Sequence, residues 1–173
     1  MAWKVDPNQS KIEFLVTHLK VTTVRGRFES FEGTLHMNEE DPQASTVQGT
    51  VDSASVKTGI SLRDNSLRAP GRFDAQRFPK ISFRSTRIGP FEGNRFQVFG
   101  DLTIKDITRP VVFDIVNKGE VQAGEGERRW AFGATIVVNR KDFDIKWNPL
   151  MEVGGLFVND EIKGELEMLM VQE

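Results

Sequence analysis

The 173-residue chain has no cysteine, which excludes disulfide bonds, thiolate nucleophiles and thiolate metal sites. It has only two histidines, His18 and His36, so a zinc-type centre would need both, together with carboxylates. Neither sign of charge dominates: 23 Lys and Arg stand against 25 Asp and Glu, a net charge of −2. The basic footprint of a nucleic-acid binder is missing, as is a polybasic segment for anionic membranes. No nucleic-acid partner is therefore expected. Nowhere do 18 consecutive apolar residues occur, so no membrane-spanning helix is expected. The opening residues Met1-Ala2-Trp3-Lys4-Val5-Asp6-Pro7 lack the apolar run of a secretory signal. The expected location is cytoplasmic, or periplasmic if a signal has been removed. Tyrosine is absent too, beside 13 Phe and 3 Trp. An interior without phenolic hydroxyls suits contents that cannot hydrogen-bond to them, although ordinary core aromatics would give the same composition.

What is present is period-two alternation, the mark of strands with one buried face. In Lys11 to Leu19, Ile12, Phe14, Val16 and His18 share a face. Arg27 to Met37 groups Phe31, Gly33, Leu35 and Met37, and Thr46 to Val56 groups Val47, Gly49 and Val51. Lys80 to Ile88 alternates Ile81, Phe83 and Ser85 against Lys80, Ser82 and Arg84. Arg95 to Ile104 and Arg109 to Lys118 repeat the pattern, as do Arg129 to Asn139 and Glu161 to Gln172. Turn-forming residues such as Gly89-Pro90, Glu92-Gly93-Asn94 and Asp106 separate the runs. Eight or more strands with short turns predict an antiparallel sandwich or barrel. Glycines inside strand patterns, among them Gly26, Gly49, Gly100 and Gly164, favour a strongly coiled, barrel-like sheet. Only Ser61 to Arg68 reads as helix, stopped by Pro70-Gly71, with a shorter turn starting at Asp74. No linker or repeat divides the chain, so one domain over 1–173 is expected.

Motifs of catalysis are lacking. There is no nucleophile elbow, and neither a P-loop nor a dinucleotide fingerprint. Asp142 and Asp144, placed on one strand face, read as solvated carboxylates rather than a glycosidase pair. The segment Thr58 to Asp74 sets Arg63, Asp64, Arg68 and Arg72 beside Ile60, Leu62, Leu67 and Phe73. Arginine matches phosphate and carboxylate geometry, so a helix over a barrel mouth could clamp an anionic head group. The alternative is that these residues only tie the helix to the sheet. A barrel of about eight strands either fills with side chains or holds one small ligand, and periodicity does not choose between the two.

The order of motifs along the chain resembles the YceI-like family of polyisoprenoid-binding, lipocalin-like proteins. Asp6-Pro7, Ser10-Lys11-Ile12-Glu13-Phe14 and His18 look like its opening strand. Val24-Arg25-Gly26-Arg27-Phe28 and Phe31-Glu32-Gly33 look like the next. Ser55 to Gly59, Arg63-Asp64 and Leu67-Arg68 match its helical segment, and Phe78 to Phe83 follows in order. Gly100-Asp101-Leu102-Thr103-Ile104-Lys105-Asp106-Ile107-Thr108-Arg109-Pro110-Val111 is the most specific stretch. Asn139 to Phe143 and Trp147-Asn148 complete the series. The chain departs from the family at Ser66, where histidine is common, and at Gly71 and Arg72, where an acidic and an aromatic residue are common.

The resemblance implies an all-β fold, an antiparallel eight-stranded lipocalin-like barrel with one short helical segment over the mouth. It also implies an isoprenoid lipid partner, a polyprenyl pyrophosphate or an isoprenoid quinone. The expected function is a carrier, store or sequestering protein, with no catalytic residues, cofactor or metal. Expected to line the apolar tail are Phe14, Val16, Phe31, Leu35, Val51, Leu62, Leu67 and Phe83. Expected at the polar end are His18, Arg63, Asp64 and Arg68. Exposed apolar faces such as Leu15 or Val137 offer a surface for a homodimer. Two other readings stay open: an enzyme acting on an isoprenoid or other small molecule, and a stress-related structural protein with a filled barrel.

Overall fold

The alternating segments become one continuous sheet in the computed structural model, which describes residues 2–18, 22–122, 126–145 and 158–173. Among the described residues the strands are β1 (Ala2–Val5), β2 (Lys11–His18), β3 (Thr22–Phe28), β4 (Phe31–His36), β5 (Thr46–Asp52), β6 (Val56–Lys57), β7 (Lys80–Ile88), β8 (Arg95–Ile104), β9 (Ile107–Gln122), β10 (Arg128–Asn139) and β11 (Val158–Gln172). The single α-helix among the described residues is α1 (Ser61–Arg68).

Every pairing is antiparallel. β1 pairs with β4 on one side and β11 on the other, which closes the ring β1-β4-β5-β7-β8-β9-β10-β11 into an eight-stranded barrel. β2 lies against the other half of β11, with β3 and then β6 beyond it. β1 and β2 thus follow one line along β11, interrupted over 6–10. The interruption leaves no backbone group of Leu169 orphaned. Its carbonyl accepts from the Asp6 amide at 2.8 Å, and its own amide donates to Ser10 Oγ at 2.9 Å.

The connectivity defines two ends. One carries α1, the β8–β9 turn and the start of β7. The other carries the β4–β5, β7–β8 and β9–β10 connections and the two termini. Leu67 and Asp64 anchor α1, being 4% and 7% exposed. The expected turn at Asp74 forms, its carbonyl accepting from the amides of Arg77 and Phe78.

Asp142 and Asp144 are not on a strand. Asn139 Oδ1 accepts from the Lys141 amide and caps a 3-10 turn over Arg140–Phe143, and Asp144 follows in the left-handed region. Side-chain capping at Asn139 ends β10 where the alternation ends, and Asp142 and Asp144 follow it in the turn.

A folded domain usually has one contiguous core. Here most of the buried apolar residues fall into two groups. One, at the α1 end, joins Phe14, Val56, Leu67, Phe73, Phe143 and Ile145. The other, at the opposite end, joins Trp3, Leu35 and Met170, with Trp130, Phe132 and Met168 packed against them. Between them lies space bordered by inward side chains such as Phe31, Phe83 and Leu166.

Candidate functional site: an apolar chamber with one polar end

The space between the two groups is a cavity of about 820 Å³. Voids in packed interiors rarely exceed one water molecule, whereas pockets for small molecules run from roughly 300 to 1,000 Å³. The interior is therefore hollow. Its wall is made by the inward set of each strand, such as Ile12, Phe14 and Val16 of β2, or Phe96, Val98 and Leu102 of β8. Most of the phenylalanines line it. Mid-barrel residues Phe31, Phe83, Phe113 and Leu166 are only half-buried, as expected of side chains that border empty space, and Phe83 and Phe113 pack edge to face with ring centroids 4.9 Å apart.

Seven of the residues expected along the tail face this space: Phe14, Val16, Phe31, Leu35, Val51, Leu67 and Phe83. Leu62 does not. It is 83% exposed on the outer side of α1, because five residues separate it from Leu67 and a helix turns by about 100° per residue, placing the two on different faces.

Three of the residues expected at the polar end are also placed elsewhere. Asp64 Oδ1 accepts from the Thr58 amide at 2.8 Å and from Thr58 Oγ1 at 2.5 Å. Arg63 donates to Thr58 Oγ1 at 2.8 Å and to the Thr58 carbonyl at 2.9 Å. Arg68 donates to the carbonyls of Ala54 and Val56 at 2.8 and 3.0 Å. None of the three lines the cavity. Together they satisfy the chain entering α1, which is the tying role rather than the clamping one. Burial pushes the Asp64 carboxyl up, but the Thr58 hydroxyl and amide, with Arg68 and Arg63 nearby, outweigh it and hold the group below the usual carboxylate range. The side chain of His18, and Trp147-Asn148, lie outside the described residues. Among the described residues no cluster of three or more His, Asp or Glu is placed to hold a metal ion.

Polar lining is found instead at the end remote from α1, where Asn38, Glu39, Asn117, Glu120 and Arg128 border the cavity. Arg128 Nε donates to Glu120 Oε1 at 2.9 Å, and a second guanidinium nitrogen reaches Glu120 Oε2 at 3.4 Å. Its remaining arm is 3.6 Å from Glu39 Oε1. The guanidinium also lies over the Trp3 ring, 5.3 Å from its centroid. The Arg128 hydrogen bond holds the Glu120 carboxyl below the usual range. Asn117 Oδ1 accepts from Trp130 Nε1 at 2.6 Å and from the Gly119 amide at 2.9 Å.

Strict alternation does not find this group. It carries Phe113, Ile115 and Asn117 inward and would turn Glu120 outward. A bulge between Ala131 and Phe132 on the β10 register skips Lys118, with Gly119 at φ 91°, a conformation glycine adopts without penalty. The extra residue re-phases β9 and sets Glu120 opposite Trp130, on the inner face. The signal available in the sequence was Asn117-Lys118-Gly119, a bulge-forming tripeptide inside a strand pattern.

The YceI-like domain profile matches residues 3–169. Protein YceI of Escherichia coli O157:H7 is 31% identical over 135 residues, 78% of this chain and 70% of that protein. A UPF0312 protein of Photorhabdus laumondii is 33% identical over 146 residues, 83% of this chain and 76% of its own length. Among solved structures, Burkholderia cenocepacia BcnA superposes with a TM-score of 0.80 at 23% identity, covering 98% of this chain and 99% of its own. A polyisoprenoid binding domain from Saccharophagus degradans superposes with a TM-score of 0.73 at 14% identity, covering 97% of each chain. A hollow eight-stranded barrel, the ordered motifs from Asp6 to Phe143, and a profile match across nearly the whole sequence converge on one assignment: the chain belongs to the YceI-like family.

Proposed function

We propose that the protein binds a long isoprenoid chain inside the barrel and serves as its carrier, store or sequestering protein, without catalysing a reaction on it. The observation that carries this reading is the cavity of about 820 Å³ lined by Phe, Leu, Ile, Val and Met between two separately packed ends. The Saccharophagus degradans domain, described as polyisoprenoid-binding, shares the fold and supports the same reading. Burying about ten methylene equivalents contributes roughly 8 kcal/mol before the costs of association, enough for useful affinity with few polar contacts. Phe14, Val16, Phe31, Leu35, Val51, Leu67 and Phe83 are the proposed tail contacts. A filled-barrel protein would not leave such a void.

The test is mass spectrometry of the organic extract of protein purified from a bacterial host without detergent. A prenyl lipid in near-stoichiometric amount is the expected result. An extract empty of prenyl lipids, with no saturable binding when long-chain prenyl lipids are titrated in, overturns the reading.

A further inference from the structure

Among the described residues the two ends of the cavity differ in chemistry. At the α1 end the described lining residues Val16, Leu67, Phe73, Ile104 and Ile145 are apolar and buried. At the other end Asn38, Glu39 and Glu120 line the cavity and are exposed to solvent. A lipid with one polar head and one apolar chain can satisfy both only in one direction. The same end also limits what the head can be. Among the described lining residues Arg128 is the only cation, and it is engaged by Glu120 and Glu39 together. Two carboxylates around one guanidinium leave this end negative, so a phosphate there would meet like charge at short range.

The two asparagines supply the complementary chemistry. Asn38 Oδ1 accepts from the amides of Glu40 and Asp41, at 3.1 and 3.0 Å. Asn117 Oδ1 is taken by Trp130 Nε1 and the Gly119 amide. With both amide oxygens occupied by donors, each side chain is left to offer its NH₂. Donors of this kind suit an uncharged head whose oxygens only accept.

Building on the isoprenoid-binding reading, we propose that the ligand enters with its head at the Arg128 end, remote from α1, and that the head is an uncharged oxygen acceptor of the quinone type rather than a phosphate ester. Asn38 and Asn117 donate to it. The Glu39–Arg128–Glu120 group rejects anionic heads, and the chain runs toward Phe73 and Ile145.

The experiment titrates the delipidated full-length protein with a long-chain prenylquinone and with a prenyl diphosphate of the same chain length. Trp147→Phe is the background, because its remaining indoles, Trp3 and Trp130, stand at the Arg128 end with ring centroids 6.1 Å apart and a quinone quenches only nearby indoles. The expected result is quinone binding at least tenfold tighter than diphosphate binding, with most of the indole emission quenched. The double substitution Glu39→Gln, Glu120→Gln should raise diphosphate affinity at least tenfold and so narrow its gap to the quinone, and no gain in diphosphate affinity overturns the rejecting role of the two carboxylates. Glu39→Gln alone, at an exposed position, gives the same direction with a smaller change. Diphosphate binding as tight as quinone binding overturns the head-group assignment, and a bound quinone without quenching overturns its placement; in both cases the isoprenoid reading stands. Binding of neither lipid overturns that reading and this inference together.

Discussion

The ring of Phe14 lies flat on Gly26, its direct partner across β2 and β3: a Cβ at residue 26 would sit 2.2 Å from Phe14 Cζ. The aromatic side chain fills the place that the glycine leaves vacant, and it packs on Phe28 at 5.4 Å between ring centroids. The three heavy atoms nearest that position all belong to the Phe14 ring. Gly26→Ala should therefore swing the ring toward the cavity instead of breaking the ladder. The expected cost is about 1–3 kcal/mol, the range for overpacking, with weaker binding of long prenyl chains. Gly26→Ala combined with Phe14→Leu should regain part of the lost stability in urea titration. Equal instability of the single and double variants would show that the backbone, not the ring, is what yields.

Filling the hollow should be nearly free. Ala134 lines the cavity at mid-barrel, opposite Ile115 and Leu166. Ala134→Phe should shift Tm by no more than about 4 °C, corresponding to about 1 kcal/mol in a chain of this length, and should weaken prenyl-lipid binding at least tenfold. A large loss of stability would mean that the chamber is already packed.

Helix α1 is held by one face only. Leu67→Ala should cost about 2–5 kcal/mol, as for a buried leucine, and Leu62→Ala should stay within about 0.5 kcal/mol, as for an exposed position. Urea midpoints of the two variants check this. Similar losses at both sites would contradict the placement of Leu62 on the outer side.

Acid should weaken the α1 anchor. Because the Asp64 carboxyl is held low in the folded protein, its contribution is fully present above the unfolded value of about 3.9 and fades as pH falls through the lower folded value. Asp64→Ala should cost about 1–3 kcal/mol at pH 7 and flatten the decline of stability below pH 5. An unchanged acid limb in urea melts across pH 3 to 7 would remove Asp64 from that role.

Strand phase was legible wherever a strand is regular. Ile12, Phe14 and Val16, or Trp130, Phe132 and Ala134, face inward as alternation indicates, because one buried face fixes the register. Bulges are where that reading fails. The shift between Ser85 and Arg87 brings Ile88 to the cavity wall, and the skip at Lys118 does the same for Glu120. Each inserts one residue whose effect depends on the partner strand, information no single segment holds. The arginines near α1 misled for another reason. A sequence shows that Arg63 and Arg68 can bind an anion, but not that nearby carbonyls at Thr58, Ala54 and Val56 already occupy them.

The most direct measurement is a crystal structure of the protein purified from a bacterial host without detergent. Continuous tubular density, branched at the regular spacing of isoprene units and running from the Phe73 end to a head beside Asn38 and Asn117, is the result this account requires. Ordered water throughout the barrel, or inner side chains collapsed onto one another with the space closed, would contradict it.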